Sequence, residues 1–176
     1  AKHRIISGEK MPHHSFALAQ DFQNIEGRAQ RVLDLILGTE GAKNIHFNKG
    51  DWGTMVGLRA DSDIYALRTA LAELSAKGGR EVMKVDVQPS QPADYSKADK
   101  GKTLLVFEID SKSDVTAVKT AFVDAVKSGY KAVLLANQRG LTGVDYQIKA
   151  NFVLFDTSLP EMQQMQSLWR VGRTIK

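Results

Sequence analysis

Arg170-Val171-Gly172-Arg173 sets two guanidinium groups three residues apart around a glycine, and Lys176 follows three residues later. A guanidinium is always charged, and its planar fork matches phosphate oxygens and can stabilise charge that develops during phosphoryl transfer. Upstream, the apolar run Val133-Leu134-Leu135-Ala136 opens into Asn137-Gln138-Arg139-Gly140-Leu141-Thr142-Gly143-Val144-Asp145. Glycines there let backbone approach a ligand closely, and open parallel sheets bind ligands beyond the carboxyl ends of their strands. Taken alone, a short Arg-x-Gly-Arg is a solvated basic turn, and a glycine-rich loop can follow a strand in any α/β fold.

Other chemistries find little support. The chain has no cysteine, which removes disulfides, thiolate zinc sites and thiol nucleophiles together. Its four histidines include the adjacent pair His13-His14, which lacks the i, i+4 spacing that puts two imidazoles on one helical face. Asp61-Ser62-Asp63 reads as a helix cap rather than an acid–base carboxylate pair. Gly101-Lys102-Thr103 ends like a phosphate-binding loop, but such a loop follows a strand and opens a helix. Here the tripeptide follows a polar loop and precedes an apolar β-prone run, which makes it a lysine-rich surface turn. Lys112, Lys119, Lys127 and Lys131 form a solvated basic face without interleaved aromatics.

The elements that must position these residues alternate. Thr54–Leu58 reads as a short buried strand. Ile64, Leu67, Leu71 and Leu74 then recur at helical spacing after the Asp61 cluster, and Gly78-Gly79 ends that helix. Val82, Val85 and Val87 form a β-prone run closed by Pro89, and residues 89–102 are a turn-rich loop. A strand over Leu104–Ile109, a helix from Asp114 to Ser128 and a strand at Ala132–Leu135 come next, followed by an apolar run at Phe152–Asp156. Strands alternating with helices of this length predict an α/β fold: a mostly parallel sheet covered by helices on both faces. Before residue 52 the pattern is less regular, with a helix over Arg31–Leu37 and a short strand at Asn44–Phe47. Residues 1–51 are therefore assigned to an N-terminal extension or the trailing part of a preceding domain. Residues 52–176 form the main domain. At 176 residues, with 43% hydrophobic and 25% charged residues, the chain suits one globular core with an appendage. There is no run of the 18 or so apolar residues that a membrane span requires, and no signal peptide is evident, so an intracellular protein (cytoplasmic or nuclear) is expected. The net charge of +4 permits contact with phosphates without demanding it.

The order of these segments resembles motifs V and VI of superfamily 2 helicases, the DEAD-box and Swi/Snf-like ATPases. The DEAD-box pattern Ala-Thr-Asp-x-x-x-Arg-Gly-Ile-Asp has Ala136 and Asn137 at its first two positions and Gly143-Val144-Asp145 at its last three, with identical spacing. Trp169-Arg170-Val171-Gly172-Arg173-Thr174-Ile175-Lys176 is similar to the motif VI run His-Arg-Ile-Gly-Arg-Thr-Gly-Arg. Thr142 departs from the family's arginine. Lys176 replaces its last arginine, keeping the charge but losing the bidentate fork. The likeness covers about 40 residues well and about 120 loosely, with motif IV indistinct.

The resemblance implies a RecA-like three-layer domain, the C-terminal lobe of a nucleic-acid-dependent ATPase. Gly143 and Asp145 would contact the nucleotide, Asp145 at the ribose. Asn137, Gln138 and Thr142 would face nucleic acid, Asn137 at a phosphate. Arg170, Arg173 and Lys176 would be the catalytic set, with Arg173 as the arginine finger. ATP with magnesium would bind only together with a first RecA-like lobe, supplied in cis or trans, that carries the phosphate-binding and magnesium-binding elements. The chain by itself is expected to be inactive, and its stop just after motif VI suits an excised piece. The alternative is a non-catalytic basic α/β module that docks RNA or a protein partner, and a small ribosome-associated protein is a weaker one.

Overall fold

The computed structural model describes residues 14–18, 24–37, 52–137, 140 and 148–155. In chain order the elements are β1 (His14–Leu18), α1 (Ile25–Leu37), β2 (Trp52–Gly57), α2 (Asp61–Lys77), β3 (Glu81–Lys84), β4 (Thr103–Ile109), α3 (Val115–Lys127), β5 (Lys131–Ala136) and β6 (Lys149–Leu154). The six strands form one sheet in the order β1-β6-β2-β5-β4-β3. Every neighbouring pair among them is parallel.

Alternation along the strands builds two cores. Leu105, Phe107 and Ile109 of β4 join Leu134 of β5 and Met55 of β2 on one face, where α3 covers them with Val118, Phe122, Ala125 and Val126. Leu104 and Val106, with Val133, Leu135 and Val56, point to the other face. There α1 contributes Val32, Leu35 and Ile36, and α2 contributes Ile64, Leu67 and Leu71. The result is a three-layer α/β sandwich with a parallel sheet in the middle, the layering of a RecA-like domain. Strands buried on both faces read as unbroken apolar runs, as β5 does from Ala132 to Ala136.

Local sequence explains where the helices begin and end. The carboxylate of Asp63 accepts the Ala60 N–H, and Asp61 and Asp63 sit in the first turn of α2, where the helix dipole favours negative charge. Asp114 caps α3 by accepting the Ala117 N–H at 2.8 Å. Gly129, at φ +91, supplies the left-handed turn that ends α3 before β5.

The step from β3 to its parallel neighbour β4 uses no helix. Residues 85–102 run instead as an irregular segment with an isolated bridge between Gln88 and Gln91. Parallel neighbours ordinarily need a helical crossover to cover the sheet. Here aromatic packing takes that place: the Tyr95 ring meets Tyr130 edge-on at 5.0 Å and Phe107 at 6.4 Å. Val87, Ala93 and Ala98 pack against the same core.

A division of the chain at residue 52 is not a packing boundary. β1 pairs with β6 over five residues in register, and α1 lies against α2 with Ala29, Val32, Leu35 and Ile36 buried. The irregular composition before residue 52 hid a strand, and the helix there belongs to the same layers as the rest of the domain. The helix expected over Arg31–Leu37 begins earlier, at Ile25, and the strand expected at Asn44–Phe47 lies outside the described residues. Among the described residues no helix is long and apolar enough to cross a membrane.

Candidate functional site

Parallel strands share one carboxyl edge, and β2 sits at its centre between β5 and β6. Its last residues bond to both neighbours: the Leu58 N–H donates to the Ala136 carbonyl at 2.9 Å, and the Gly57 carbonyl accepts the Phe155 N–H at 3.0 Å. The carboxyl ends of β5 and β6 therefore lie on either side of one strand, about 9–10 Å apart. In the sequence the glycine-rich run follows β5, and the paired arginines come after β6.

Of the residues singled out from sequence, Asn137 is described. It is half-buried at the end of β5, and its backbone N–H donates to the Ile109 carbonyl at 3.1 Å. Gln138, Thr142, Gly143, Asp145, Arg170, Arg173 and Lys176 lie outside the described residues.

Gly140 is the residue at this edge whose identity the packing dictates. It is buried, and its N–H donates to the Asn137 carbonyl at 3.0 Å, three residues back. A Cβ there would stand 2.9 Å from the Ala136 Cβ and the Ile109 Cδ1, and 3.0 Å from the Ile109 Cβ. Carbon atoms rest at about 3.5–4.0 Å, so only glycine lets this turn lie on the strand ends. The sequence showed a glycine-rich loop without showing which glycine touches the core.

Beside this turn, the first half of α2 is bonded to the end of β4. Asp61, Tyr65 and Arg68 fall at i, i+4 and i+7, one face of the helix. The Asp61 carboxylate accepts from the backbone N–H and hydroxyl of Ser111. The Tyr65 hydroxyl donates to Asp110, and Arg68 Nη1 donates to both carboxylate oxygens of Glu108 at 3.0 and 3.1 Å. The Arg68 guanidinium also lies 5.6 Å from the Tyr65 ring centre. From sequence Asp61 reads as a cap, but only Asp63 caps; Asp61 reaches across to the β4–α3 turn. The polar stripe at helical spacing was the available signal.

The electrostatics follow from these contacts. Burial raises the Glu108 carboxyl above its ordinary value, and the Arg68 guanidinium opposes that shift. The hydrogen bond to Asp110 pushes the Tyr65 phenol up to about 12. The same bond holds Asp110 low, with help from the Lys112 N–H and the Ser113 hydroxyl and against the effect of burial.

A cavity of about 330 Å³ opens next to Glu108, between the end of β3 and the β4–α3 turn. Its walls carry four carboxylates (Asp86, Glu108, Asp110 and Asp114) against Lys84 and Lys112. That balance repels phosphate. Among the described residues no group of histidine, aspartate and glutamate could hold a metal ion.

No family model, no curated protein and no solved structure matches this chain.

Proposed function

We propose that the chain is the C-terminal lobe of a nucleic-acid-dependent ATPase of the superfamily 2 helicase or translocase type. The observation that supports this reading best is the placement of β2 between β5 and β6, bonded to the last residues of both. This order puts the carboxyl ends of β5 and β6, which precede the two motif-bearing segments in the chain, at one edge of the sheet. Gly140 lays the first of them on the strand ends.

In this reading Asn137, Gln138 and Thr142 meet the nucleic-acid backbone, and Gly143 and Asp145 meet the nucleotide. Arg173, flanked by Arg170 and Lys176, presents a fixed positive fork to phosphates held by a companion lobe. An arginine finger of this kind contributes about 10³–10⁵ in rate where it has been measured.

The test uses the chain joined to its companion lobe. ATP hydrolysis stimulated by nucleic acid is expected in the two-lobe protein, with a fall of about 10³ on Arg173→Ala and no loss of folded structure by circular dichroism. Full activity in that variant contradicts the reading. So does ATPase activity in the chain alone that disappears on Arg173→Ala.

A further inference from the structure

A second cavity, of about 240 Å³, opens at the opposite, amino-terminal edge of the sheet. One wall is apolar: Leu33, Ile36 and Leu37 from the end of α1, and Leu104 from the start of β4. Arg80, Lys102 and Lys131 line it as well, and among the described residues no acidic side chain does. Among the described residues none of these three cationic side chains makes an ion pair or a side-chain hydrogen bond.

The floor holds the independent observation. Ser75, on the last turns of α2, is 2% exposed and lines the cavity, and its hydroxyl has no hydrogen-bond partner. A serine within a helix either points to solvent or bonds back to the carbonyl four residues earlier. Buried polar groups in native proteins are rarely left unsatisfied, so an orphan at a cavity wall marks a place where a ligand can complete the bonding. The carbonyl ends of α1 and α2 are reason enough for some positive charge nearby. They give no reason for a buried, unbonded hydroxyl in the wall of a half-apolar cavity whose charged side chains, among the described residues, are all cationic.

We propose that this cavity binds a small amphipathic anion, a carboxylate or phosphate head on a short apolar body. The head lies among Arg80, Lys102 and Lys131, the body rests on Leu33, Ile36, Leu37 and Leu104, and Ser75 donates its hydroxyl to the ligand. The site is remote from the edge proposed to face nucleotide and does not depend on that proposal.

The test is a titration of the whole chain, followed by isothermal calorimetry and by amide shifts. The probes are octanoate, octyl phosphate, 1-octanol and inorganic phosphate. Saturable binding of either octyl anion at millimolar concentration is expected, with shifts at Ser75, Arg80 and Lys102, and the better of the two identifies the head group. Octanol and inorganic phosphate should each bind at least tenfold more weakly. The triple variant Arg80→Gln, Lys102→Gln, Lys131→Gln should lose at least tenfold in affinity while its thermal unfolding stays within a few degrees. Because those three side chains reach solvent, loss of fold is not expected. Ser75→Ala, a conservative second variant, should weaken the anion several-fold. The proposal fails if neither octyl anion saturates, if octanol or phosphate matches them, or if the triple variant binds as tightly as the parent.

Discussion

Replacing Gly140 by alanine adds one methyl group at the point where the chain packs against the strand ends. The new carbon would stand 2.9 Å from two side-chain carbons and 3.0 Å from a third, where about 3.5–4.0 Å is the resting distance. Two of those three atoms are Cβ atoms, of Ala136 and Ile109. Both residues are locked in parallel ladders, so neither can swing aside by changing rotamer. Overpacking of this kind costs about 1–3 kcal/mol. Alanine also restricts the unfolded chain, which returns about 0.4–1 kcal/mol. The net expectation is a loss of about 0.5–2.5 kcal/mol, read as a lower urea midpoint with an unchanged slope. Ile109→Val removes the Cδ1 contact at a cost of its own of about 0.5–1.5 kcal/mol. In the Gly140→Ala background it should cost less than that, or nothing. A double-mutant cycle measures the difference. If Gly140→Ala is neutral or stabilising, or if the two changes simply add, the close approach is not what fixes this turn.

Arg68→Ala leaves the Glu108 carboxylate buried without its partner. Breaking a fully buried pair costs about 3–5 kcal/mol, but Arg68 keeps 29% exposure of its side chain, so screening lowers the expected loss to about 1.5–3 kcal/mol. Burial already raises the Glu108 pKa. Its protonated form therefore favours the folded state below the unfolded carboxyl value, and that advantage is lost as pH rises through the folded one. Urea titrations should accordingly show a smaller loss for Arg68→Ala in mild acid than at neutral pH, and equal losses would refute the assignment. Ultraviolet titration should find Tyr65 ionising at about 12, its stabilising bond intact below the ordinary phenol value and lost as pH rises through the folded one. In Asp110→Asn the phenol should move back toward 10.0, its ordinary value. Asp114→Ala removes the α3 cap and should lower stability by about 1 kcal/mol, with hydrogen exchange quickening first at Ala117.

The parts of the fold that sequence revealed are those whose signals are local. Ala132 to Leu135 announced a strand buried on both sides. The spacing of Ile64, Leu67 and Leu71 announced α2, and Gly78-Gly79 marked its end. Strand order was not legible, because each pairing joins segments far apart in the chain. β2 lies between β5 and β6, and nothing in Trp52–Gly57 says so. β1 was missed as a sheet member for the same reason: His14–Leu18 carries no clear alternation, and only its pairing with β6 makes it a strand. At the carboxyl edge, the glycine-rich run was visible as a type of loop. The requirement at Gly140 depends on Ile109, which belongs to another strand. The links from Asp61, Tyr65 and Arg68 were half visible: their spacing is a helical stripe, but Ser111, Asp110 and Glu108 lie forty to fifty positions away.

The three links between α2 and the end of β4 also have a mechanical meaning. Their partners run in the opposite sense along the chain, so a pull along the helix axis loads them together, in shear. Lifting the helix from its amino-terminal end instead unzips them singly, Ser111 first and Glu108 last. The domain is thus stiff to thrust along α2 and compliant to peeling, a directional rigidity that comes from one face of one helix.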